Sequence, residues 1–367
     1  MISIATPLTR LLGIRRPILL AGMAGGPTTP ELVGAVSRAG GLGVFGVAGM
    51  TPDAVRDAVS RALELADGAP VGVNVLISPA VPRPGADPDA MQAVLGPMRA
   101  DMGLPHPPPP GPPPATPLEL VEAGLEAGAS VVATGLGDPA PVAAAARDAG
   151  APLIAMVSTV DDARTVVDSG ADVVVAQGGE AGGHRSNLHV PGDGPVPMVG
   201  TMALVRQVVA AVDVPVVATG GIMDGAGLAA ALALGASGVQ LGTALLVAHE
   251  AGVPAGWRER IRSARDDETI VTRALSGRPA RGLPNALTGA LDVPGAMGWP
   301  QQNAVAADIR RAAAAAGDAD HMSLWAGQAA ALSGADRPAA HIIDEITDQA
   351  LAEMRRLGGL AEADGPA

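Results

Sequence analysis

The chain has 367 residues, and its 37 acidic residues against 24 basic ones give a formal net charge of −13. It contains no cysteine, lysine or tyrosine, which excludes disulfides, thiolate metal sites, Schiff-base chemistry and a tyrosine acid or base. A chain this acidic argues against a nucleic-acid or anionic-membrane partner, because a phosphate backbone binds to a basic surface.

Short β-branched runs alternate with Ala/Leu-rich segments at helical spacing along residues 1–248. The candidate helices begin with signals such as Thr29-Pro30 and end in glycine, as at Gly40. Eight such units predict an α/β fold, a closed (β/α)8 TIM barrel rather than an open doubly wound sheet. The eight candidate strands begin at Pro17, Gly41, Val71, Ser130, Pro152, Asp172, Pro215 and Ser237.

Two stretches interrupt the barrel pattern. An insertion at about 78–116 ends in HPPPPGPPPATP and is expected to run as extended polyproline, either as a spacer or as a lid over the barrel mouth. Residues 249–357 lack the strand rhythm and predict a smaller, mostly helical C-terminal subdomain that covers the active face. Residues 358–367 predict a disordered tail.

The N-terminus fits neither a signal peptide nor a membrane span, because its apolar run is short and its arginines follow the first apolar residues. We therefore expect a cytoplasmic protein with no membrane or nucleic-acid partner. A homodimer is the expected assembly, since cyclic dimers are the commonest oligomers.

The loop after the sixth strand, AQGGEAGGHRSN at 176–187, brackets Glu180 with glycines and ends on His184 and Arg185. Reactive groups of TIM barrels lie on loops at the carboxyl ends of strands, and glycines let backbone N–H groups approach a ligand closely. A flexible turn is the alternative. His184 is the candidate catalytic residue, for acid/base work or for stabilising a developing anion, because histidine ordinarily titrates near neutrality.

The loops after the seventh and eighth strands, ATGGIMDG and QLGTA, occupy the usual phosphate-binding position of this fold. Their candidate contacts are Gly220, Gly221, Gly242 and the hydroxyl of Thr243. No H-E-x-x-H or comparable ligand cluster is visible, so no metal site is predicted. The pattern favours a bound organic cofactor.

Two amide side chains stand in or at the end of otherwise apolar strands. Asn74 interrupts VGVNVLI, and Gln177 ends the sixth strand. A buried amide is costly unless it is hydrogen-bonded, so each is either a satisfied core group or a contact to a polar heterocycle.

The chain resembles the nitronate monooxygenase family, formerly called 2-nitropropane dioxygenases, over nearly its whole length. The resemblance runs through LLAGMAGGPTTPELVGAVSRAGGLGVFG, VGVNVLI, AQGGEAGGHRSN, PVVATGGIMDG, QLGTALL and TRALSGRPARGLPNAL to WPQQN and SLWAGQ. It implies FMN as cofactor and places His184 beside the substrate. The residues that it implies for the flavin ring and ribityl chain are Met23, Asn74, Gln177 and Gly182, and those for the phosphate are Gly220, Gly221, Gln240, Leu241, Gly242 and Thr243.

The resemblance also implies the reaction, in which an alkyl nitronate and O2 give a carbonyl compound and nitrite. This chain departs from the family at Trp299, where a tyrosine is usual, and it lacks the substrate-side lysine and tyrosines. Arg185 or Arg281 could supply the missing positive charge, or either could hold a surface or salt-bridge position. The alternative function is an NAD(P)H-dependent flavin reductase of quinone or enoyl-thioester type, and a binding barrel without turnover is a further alternative.

Overall fold

The computed structural model of the chain describes residues 4–105 and 113–362. The strands are β1 (Ile18–Leu20), β2 (Gly43–Gly46), β3 (Val71–Leu76), β4 (Val131–Gly135), β5 (Leu153–Val157), β6 (Val173–Gln177), β7 (Gly183–His184), β8 (Val216–Thr219), β9 (Gly238–Leu241), β10 (Ile270–Thr272) and β11 (Ala280–Gly282). The helices are α1 (Pro7–Leu12), α2 (Pro30–Arg38), α3 (Pro52–Ala66), α4 (Pro88–Asp101), α5 (Pro117–Glu126), α6 (Ala140–Asp148), α7 (Val160–Asp168), α8 (Thr201–Val209), α9 (Gly225–Ala233), α10 (Thr243–Leu246), α11 (Ala255–Arg262), α12 (Ala286–Leu291), α13 (Gln301–Val305), α14 (Ala307–Ala316) and α15 (Ala339–Glu362), with a 3₁₀ helix at Gln328–Leu332.

Eight parallel strands form the barrel in the order β1, β9, β8, β6, β5, β4, β3, β2. A parallel bridge between Leu19 and Leu42 joins the two ends of this order, so the sheet closes on itself. The predicted TIM barrel is confirmed, and each barrel strand coincides with one of the eight runs expected from the sequence.

The barrel interior changes character along its axis. Its amino-terminal part is an apolar cluster that includes Leu19, Val175 and Val217 and is closed from below by Leu8 and Leu12 of α1. Side chains two residues apart in a strand share a face, so the layer above this cluster is set by register. That layer is polar and contains Asn74, Gln177, Thr219 and Gln240. In the barrel ladder Asn74 pairs with Ala133, and Thr219 pairs with both Gln177 and Gln240. Gln240 also pairs with Leu19.

The last helix of the chain, α15, covers the barrel beside α9 and α2. The short α10 is the helix that directly follows β9, and α15 packs against α9 and α2. Its buried residues Ile342, Ile343 and Ile346 belong to the same core as the barrel helices. The helix continues through Glu362, into the segment expected to be a tail, and 363–367 lie outside the described residues.

The insertion after β3 is not extended polyproline throughout. Residues 88–101 form α4, which Asp87 caps by accepting from the N–H groups of Asp89 and Ala90. The segment DPDAMQAVL contains an N-cap, a proline at N1 and apolar residues at helical spacing, and these local signals outweigh its proline content. The proline run itself, at 106–112, lies outside the described residues.

A small antiparallel sheet joins the C-terminal region to the barrel mouth, with β11 between β10 and β7. Ala280 of β11 pairs with His184 of β7, which directly follows the glycine-rich loop. The described helices include none with the length and apolar character needed to cross a bilayer.

Candidate active site

The glycine-rich loop after β6 is anchored by its own first residue. Gln177 donates from Nε2 to the His184 carbonyl oxygen at 2.9 Å, and its Oε1 accepts from the Ser186 N–H at 2.8 Å and from Ser158 Oγ at 2.9 Å. One amide therefore ties the start of the loop to its end. The remaining N–H of Gln177 has no hydrogen-bond partner in the described part of the chain.

Three buried arginines hold carbonyl oxygens of the same loop and its surroundings. Arg185 donates to Gly178 and Gln177, at 2.6 and 2.9 Å, and Arg281 donates to Gly179 at 2.9 Å. Arg278 is fully buried and donates to the carbonyl oxygens of Leu136 and Asn187 at 2.8 and 2.6 Å. Arg185 and Arg281, expected as substrate cations or as surface or ion-pair residues, instead brace the loop backbone.

Glycines in this loop are required by close backbone approaches. A Cβ on Gly182 would lie 2.6 Å from the carbonyl carbon of Ala326 and 2.7 Å from the nitrogen of Gly327. A Cβ on Gly178 would lie 1.9 Å from Thr201 Oγ1. The loop is therefore packed on both sides, and the flexible-turn alternative does not describe it.

Glu180 has a structural role at the N-terminus of α8. Its carboxylate accepts from the Thr201 N–H at 2.9 and 3.0 Å and from the Thr201 hydroxyl at 2.8 Å. Its charge also raises the pKa values of Arg185 and Arg281, although burial lowers both pKa values more strongly. Glu180 thus supports the loop from below and balances the buried positive charge.

The His184 side chain is bordered by the C-terminal region. Its Nε2 lies 2.9 Å from Ser276 Oγ, and its ring centroid lies 5.5 Å from that of Trp299 and 5.4 Å from that of Trp325. His184 and both tryptophans keep part of their surface exposed at the barrel mouth, although protein atoms surround the imidazole closely.

The surroundings of His184 strongly disfavour its protonated form. Burial is the main cause, and the positive charges of Arg278 and Arg310 add to it, so that the pKa falls from 6.5 to about 3. The imidazole is therefore neutral at physiological pH and can accept a proton without first losing one.

Backbone donors collect at the ends of β8 and β9. The N–H groups of Gly220, Gly221 and Gly242 donate to no described residue. Gly220 and Gly221 adopt φ values of 115° and 73°, which turn the chain after β8 in a conformation that other residues rarely take. Thr243 Oγ1 accepts from the Gly327 N–H at 3.0 Å, and its own hydroxyl hydrogen remains to be donated. Together these groups can hold an anion.

Two buried amides in the polar layer have unused hydrogen-bonding capacity. Asn74 is 8% exposed, and its one hydrogen bond, from Nδ2 to the Gly22 carbonyl oxygen, is long at 3.4 Å. Gln240 is 7% exposed, and its side-chain amide bonds to no described residue. Neither amide is among the fully enclosed side-chain atoms without a partner in the described part of the chain, so both amides have room to bond to a polar ligand.

The sequence-predicted residues lie in or directly after the barrel strands, towards their carboxyl ends. Met23 Sδ lies 3.9 Å from the position of a Cβ on Gly242, and a Cβ on Gly220 would lie 2.9 Å from the nitrogen of Ala181. Leu241 is buried in the outer core with the helices, so only its backbone faces this region. Strands β3, β6 and β9 and the loops after β1, β6, β8 and β9 thus supply the candidate contacts together.

Sequence reasoning missed Ser276, Arg278 and Trp325. Ser276 and Arg278 reach the site through the pairing of β11 with β7, which joins segments almost a hundred residues apart, and Trp325 through its antiparallel bridge to Gly282 of β11. The stretch SGRPARG has no hydrophobic periodicity that would indicate this contact. Its clustered arginines were the available signal, since a cation that the fold buries needs specific acceptors.

The site combines backbone N–H groups that can hold an anion, amides with free hydrogen-bonding capacity and a neutral histidine. Comparisons with known proteins show which family the chain resembles. A family model described as nitronate monooxygenase matches residues 5–349. A probable nitronate monooxygenase of Staphylococcus saprophyticus is 35% identical over 332 residues, 89% of this chain and 92% of that protein. Another, of Staphylococcus aureus, is 35% identical over 348 residues, 93% of this chain and 96% of that protein.

Solved structures show the same similarity. A nitroalkane oxidase from Streptomyces ansochromogenes superposes with a TM-score of 0.83 at 34% identity, covering 96% of this chain and all (100%) of that chain. FabK from Thermotoga maritima superposes with a TM-score of 0.76 at 32% identity, covering 98% of this chain and all (100%) of that chain.

Proposed function

The chain belongs to the nitronate monooxygenase family, and we propose that it is an FMN-dependent enzyme that oxidises alkyl nitronates with O2 to a carbonyl compound and nitrite. One observation carries this proposal. Buried amides with unused capacity at Asn74 and Gln240 lie in the same barrel mouth as the unpartnered N–H groups of Gly220, Gly221 and Gly242. A ligand with a polar ring and an anionic tail would satisfy both sets.

The residues at this site offer the types of hydrogen-bonding group that FMN requires. The Gly220, Gly221 and Gly242 N–H groups and the Thr243 hydroxyl would hold its phosphate. When bound, FMN supplies the transfer of electrons from the substrate to O2. The groups that would hold the ring and ribityl chain are the Asn74 and Gln240 amides, the free N–H of Gln177, and the backbone of Met23, Leu241 and Gly182. The resemblance implied Gln240 and Leu241 for the phosphate, and we move them because Gln240 lies in the polar layer with Asn74 and Gln177.

His184 would remove a proton from a neutral nitroalkane before oxidation. The proton passes from the carbon next to the nitro group to the imidazole, the C–H electron pair forms the C=N bond, and the nitro oxygens take the negative charge. A base must be neutral to accept this proton, and burial beside Arg278 and Arg310 keeps His184 neutral by lowering its pKa to about 3. The same surroundings make the imidazole a weak base, so the transfer depends on stabilisation of the nitronate anion that it produces. The similarity to a nitroalkane oxidase agrees with this substrate range.

Positive charge in a site without lysine would come from the same two arginines. Arg278 and Arg310 act on His184 through their fields, and both have pKa values lowered by burial to about 10, so they stay charged at neutral pH. A nitronate anion beside His184 would be stabilised by these charges, whereas the imidazolium is destabilised by them.

A reductase that oxidises NAD(P)H is the second candidate. The similarity to FabK, over 98% of this chain, supports this second candidate function. The two candidates differ in the donor that reduces the bound flavin, so the donor decides between them.

Replacing His184 tests the proposed function. We expect His184→Asn to lower turnover of a neutral nitroalkane by about 100-fold or more, the usual contribution of a proton-transferring group, with a smaller effect on preformed nitronate. Nitrite release and O2 uptake measure both rates at equal flavin content. His341→Asn, an exposed histidine of α15, is the matched control and should leave both rates unchanged. Equal nitroalkane turnover in His184→Asn and the unchanged protein would remove His184 from the mechanism.

A further inference from the structure

Ser276 lies at the centre of a small hydrogen-bond group behind His184. It is 1% exposed, and its hydroxyl oxygen lies 2.9 Å from His184 Nε2 and 3.0 Å from the Arg278 carbonyl oxygen. The Arg278 N–H also donates to it, at 3.3 Å.

The position of Ser276 is fixed by the turn that follows it. Gly277 has a φ of 81°, and a Cβ there would lie 2.4 Å from the carbonyl carbon of Gly298 and 2.5 Å from the nitrogen of Trp299. Arg278 is anchored on the other side by the carbonyl oxygens of Leu136 and Asn187. The backbone on the C-terminal side of Ser276 is therefore held in place, and it fixes the position of the hydroxyl beside the imidazole.

Counting protons assigns the direction of the contact. A serine hydroxyl has one hydrogen, and the Arg278 carbonyl oxygen can only accept it. Donation to this carbonyl oxygen lets both contacts of the hydroxyl be hydrogen bonds, whereas donation to His184 would leave two oxygens facing each other without a hydrogen. The hydroxyl oxygen is then an acceptor toward His184, so Nε2 carries the imidazole proton. Nδ1 makes no hydrogen bond within the described part of the chain and keeps its lone pair.

We propose that Ser276 is a positioning residue that holds His184 in the tautomer with its proton on Nε2, so that Nδ1 is the atom that accepts the substrate proton. A neutral imidazole offers one acceptor nitrogen, and the hydrogen bond made by the other nitrogen decides which one it is. The proposal rests on the proposed function for its consequence in catalysis, whereas the tautomer itself is a property of the protein alone.

Nitrogen-15 NMR of histidine-labelled protein tests the tautomer directly. The chain has 6 histidines, and the resonances missing from a His184→Gln sample identify those of His184. We expect Nε2 to be protonated and Nδ1 unprotonated at neutral pH in the unchanged protein. In Ser276→Ala we expect the Nδ1–H tautomer to appear, and in Ser276→Thr, which keeps a hydroxyl, the original tautomer to return.

Kinetics provide the second readout. Ser276→Ala should lower kcat for a neutral nitroalkane by roughly tenfold or more, because part of the enzyme would present an N–H where an acceptor is needed. Turnover of preformed nitronate, which has no proton to lose, should fall much less. Ser276→Thr should restore most of the nitroalkane rate.

Two results would overturn the proposal. One is a proton on Nδ1 in the unchanged protein, which decides the question even if Ser276→Ala does not fold. The other is an unaltered tautomer in a folded Ser276→Ala protein. Absence of nitronate turnover in the unchanged, flavin-loaded protein would instead refute the proposed function and leave the assigned tautomer standing.

Discussion

His184 is neutral because of its neighbours rather than its own chemistry. Trp299 and Trp325 lie against its ring, and the charges of Arg278 and Arg310 oppose a further positive charge. Burial is the larger of these effects and lowers the pKa from 6.5 to about 3. The same surroundings that withhold a proton from the free imidazole would favour a substrate anion next to it.

This lowered pKa makes a prediction about stability. The unfolded chain protonates His184 below pH 6.5, whereas the folded protein does so only near pH 3, so the unfolded state binds more protons between these values. The contribution of neutral His184 to stability is therefore present above pH 6.5 and is lost as the pH falls. We expect the free energy of unfolding of His184→Gln, measured with urea, to fall less steeply in this window than that of the unchanged protein.

His341→Gln, at an exposed position, is the control for this comparison and should follow the unchanged protein. Parallel pH profiles for His184→Gln and the unchanged protein would show that the folded protein does not depress the His184 pKa.

Single residues were predictable where the local sequence carries an anomaly. An amide within VGVNVLI and a histidine ending a run of glycines both stand out; the structure places Asn74 in the polar layer of the barrel and His184 at the barrel mouth. Ser276 and Trp325 stand in unremarkable local sequence, and only tertiary pairing brings them to His184. Arg185 and Arg281 stand out too, but sequence alone does not say whether a cation meets a substrate or a carbonyl oxygen.

At the level of elements, the glycine-rich loop is a braced structure. Arg185 and Arg281 hold its carbonyl oxygens from above, and Glu180 fastens it to the first residue of α8. The glycines serve this packing, because Gly178 and Gly182 leave no space for a Cβ. A loop braced in this way keeps its N–H groups and His184 in place without the cost of ordering them on binding.

Removing the Glu180 carboxylate should show this brace. We expect Glu180→Ala to lower the free energy of unfolding by about 1–2 kcal/mol, because α8 loses its N-terminal acceptor and two buried arginines lose their counter-charge. Urea unfolding followed by circular dichroism measures the change. Glu64→Ala, in an exposed ion pair with Arg61, is the matched control and should change stability by less than about 0.5 kcal/mol. Equal stability of the two variants would contradict the bracing role.

Helices were predictable where the sequence contains an N-cap residue followed by proline. Thr29-Pro30 and Thr51-Pro52 open α2 and α3 as their capping chemistry indicates. A similar signal, Asp87-Pro88, begins α4. The high proline content of this insertion led to the prediction of an extended segment instead. The strands β7 and β11 are too short to leave a periodic pattern, since they exist through pairing with each other.

For the whole molecule, alternating strands and helices predict the barrel because each βα unit carries its own signals. Closure depends on contacts that no local pattern contains, such as the bridge between Leu19 and Leu42 and the packing of α15 against α2 and α9. The C-terminal region likewise supplies Ser276, Trp299 and Trp325 to a site founded on the barrel strands. The barrel thus positions the backbone donors, and the C-terminal region sets the chemistry of His184.

The most direct test of this account is anaerobic reduction of the flavin-loaded protein. Purified protein is mixed separately with an alkyl nitronate and with NADH, and the flavin absorbance spectrum is recorded after each addition. We expect the nitronate alone to bleach the flavin absorbance, and we expect admission of O2 to restore the absorbance with release of nitrite. An unchanged spectrum with the nitronate together with bleaching by NADH would contradict this account and would make the protein a reductase.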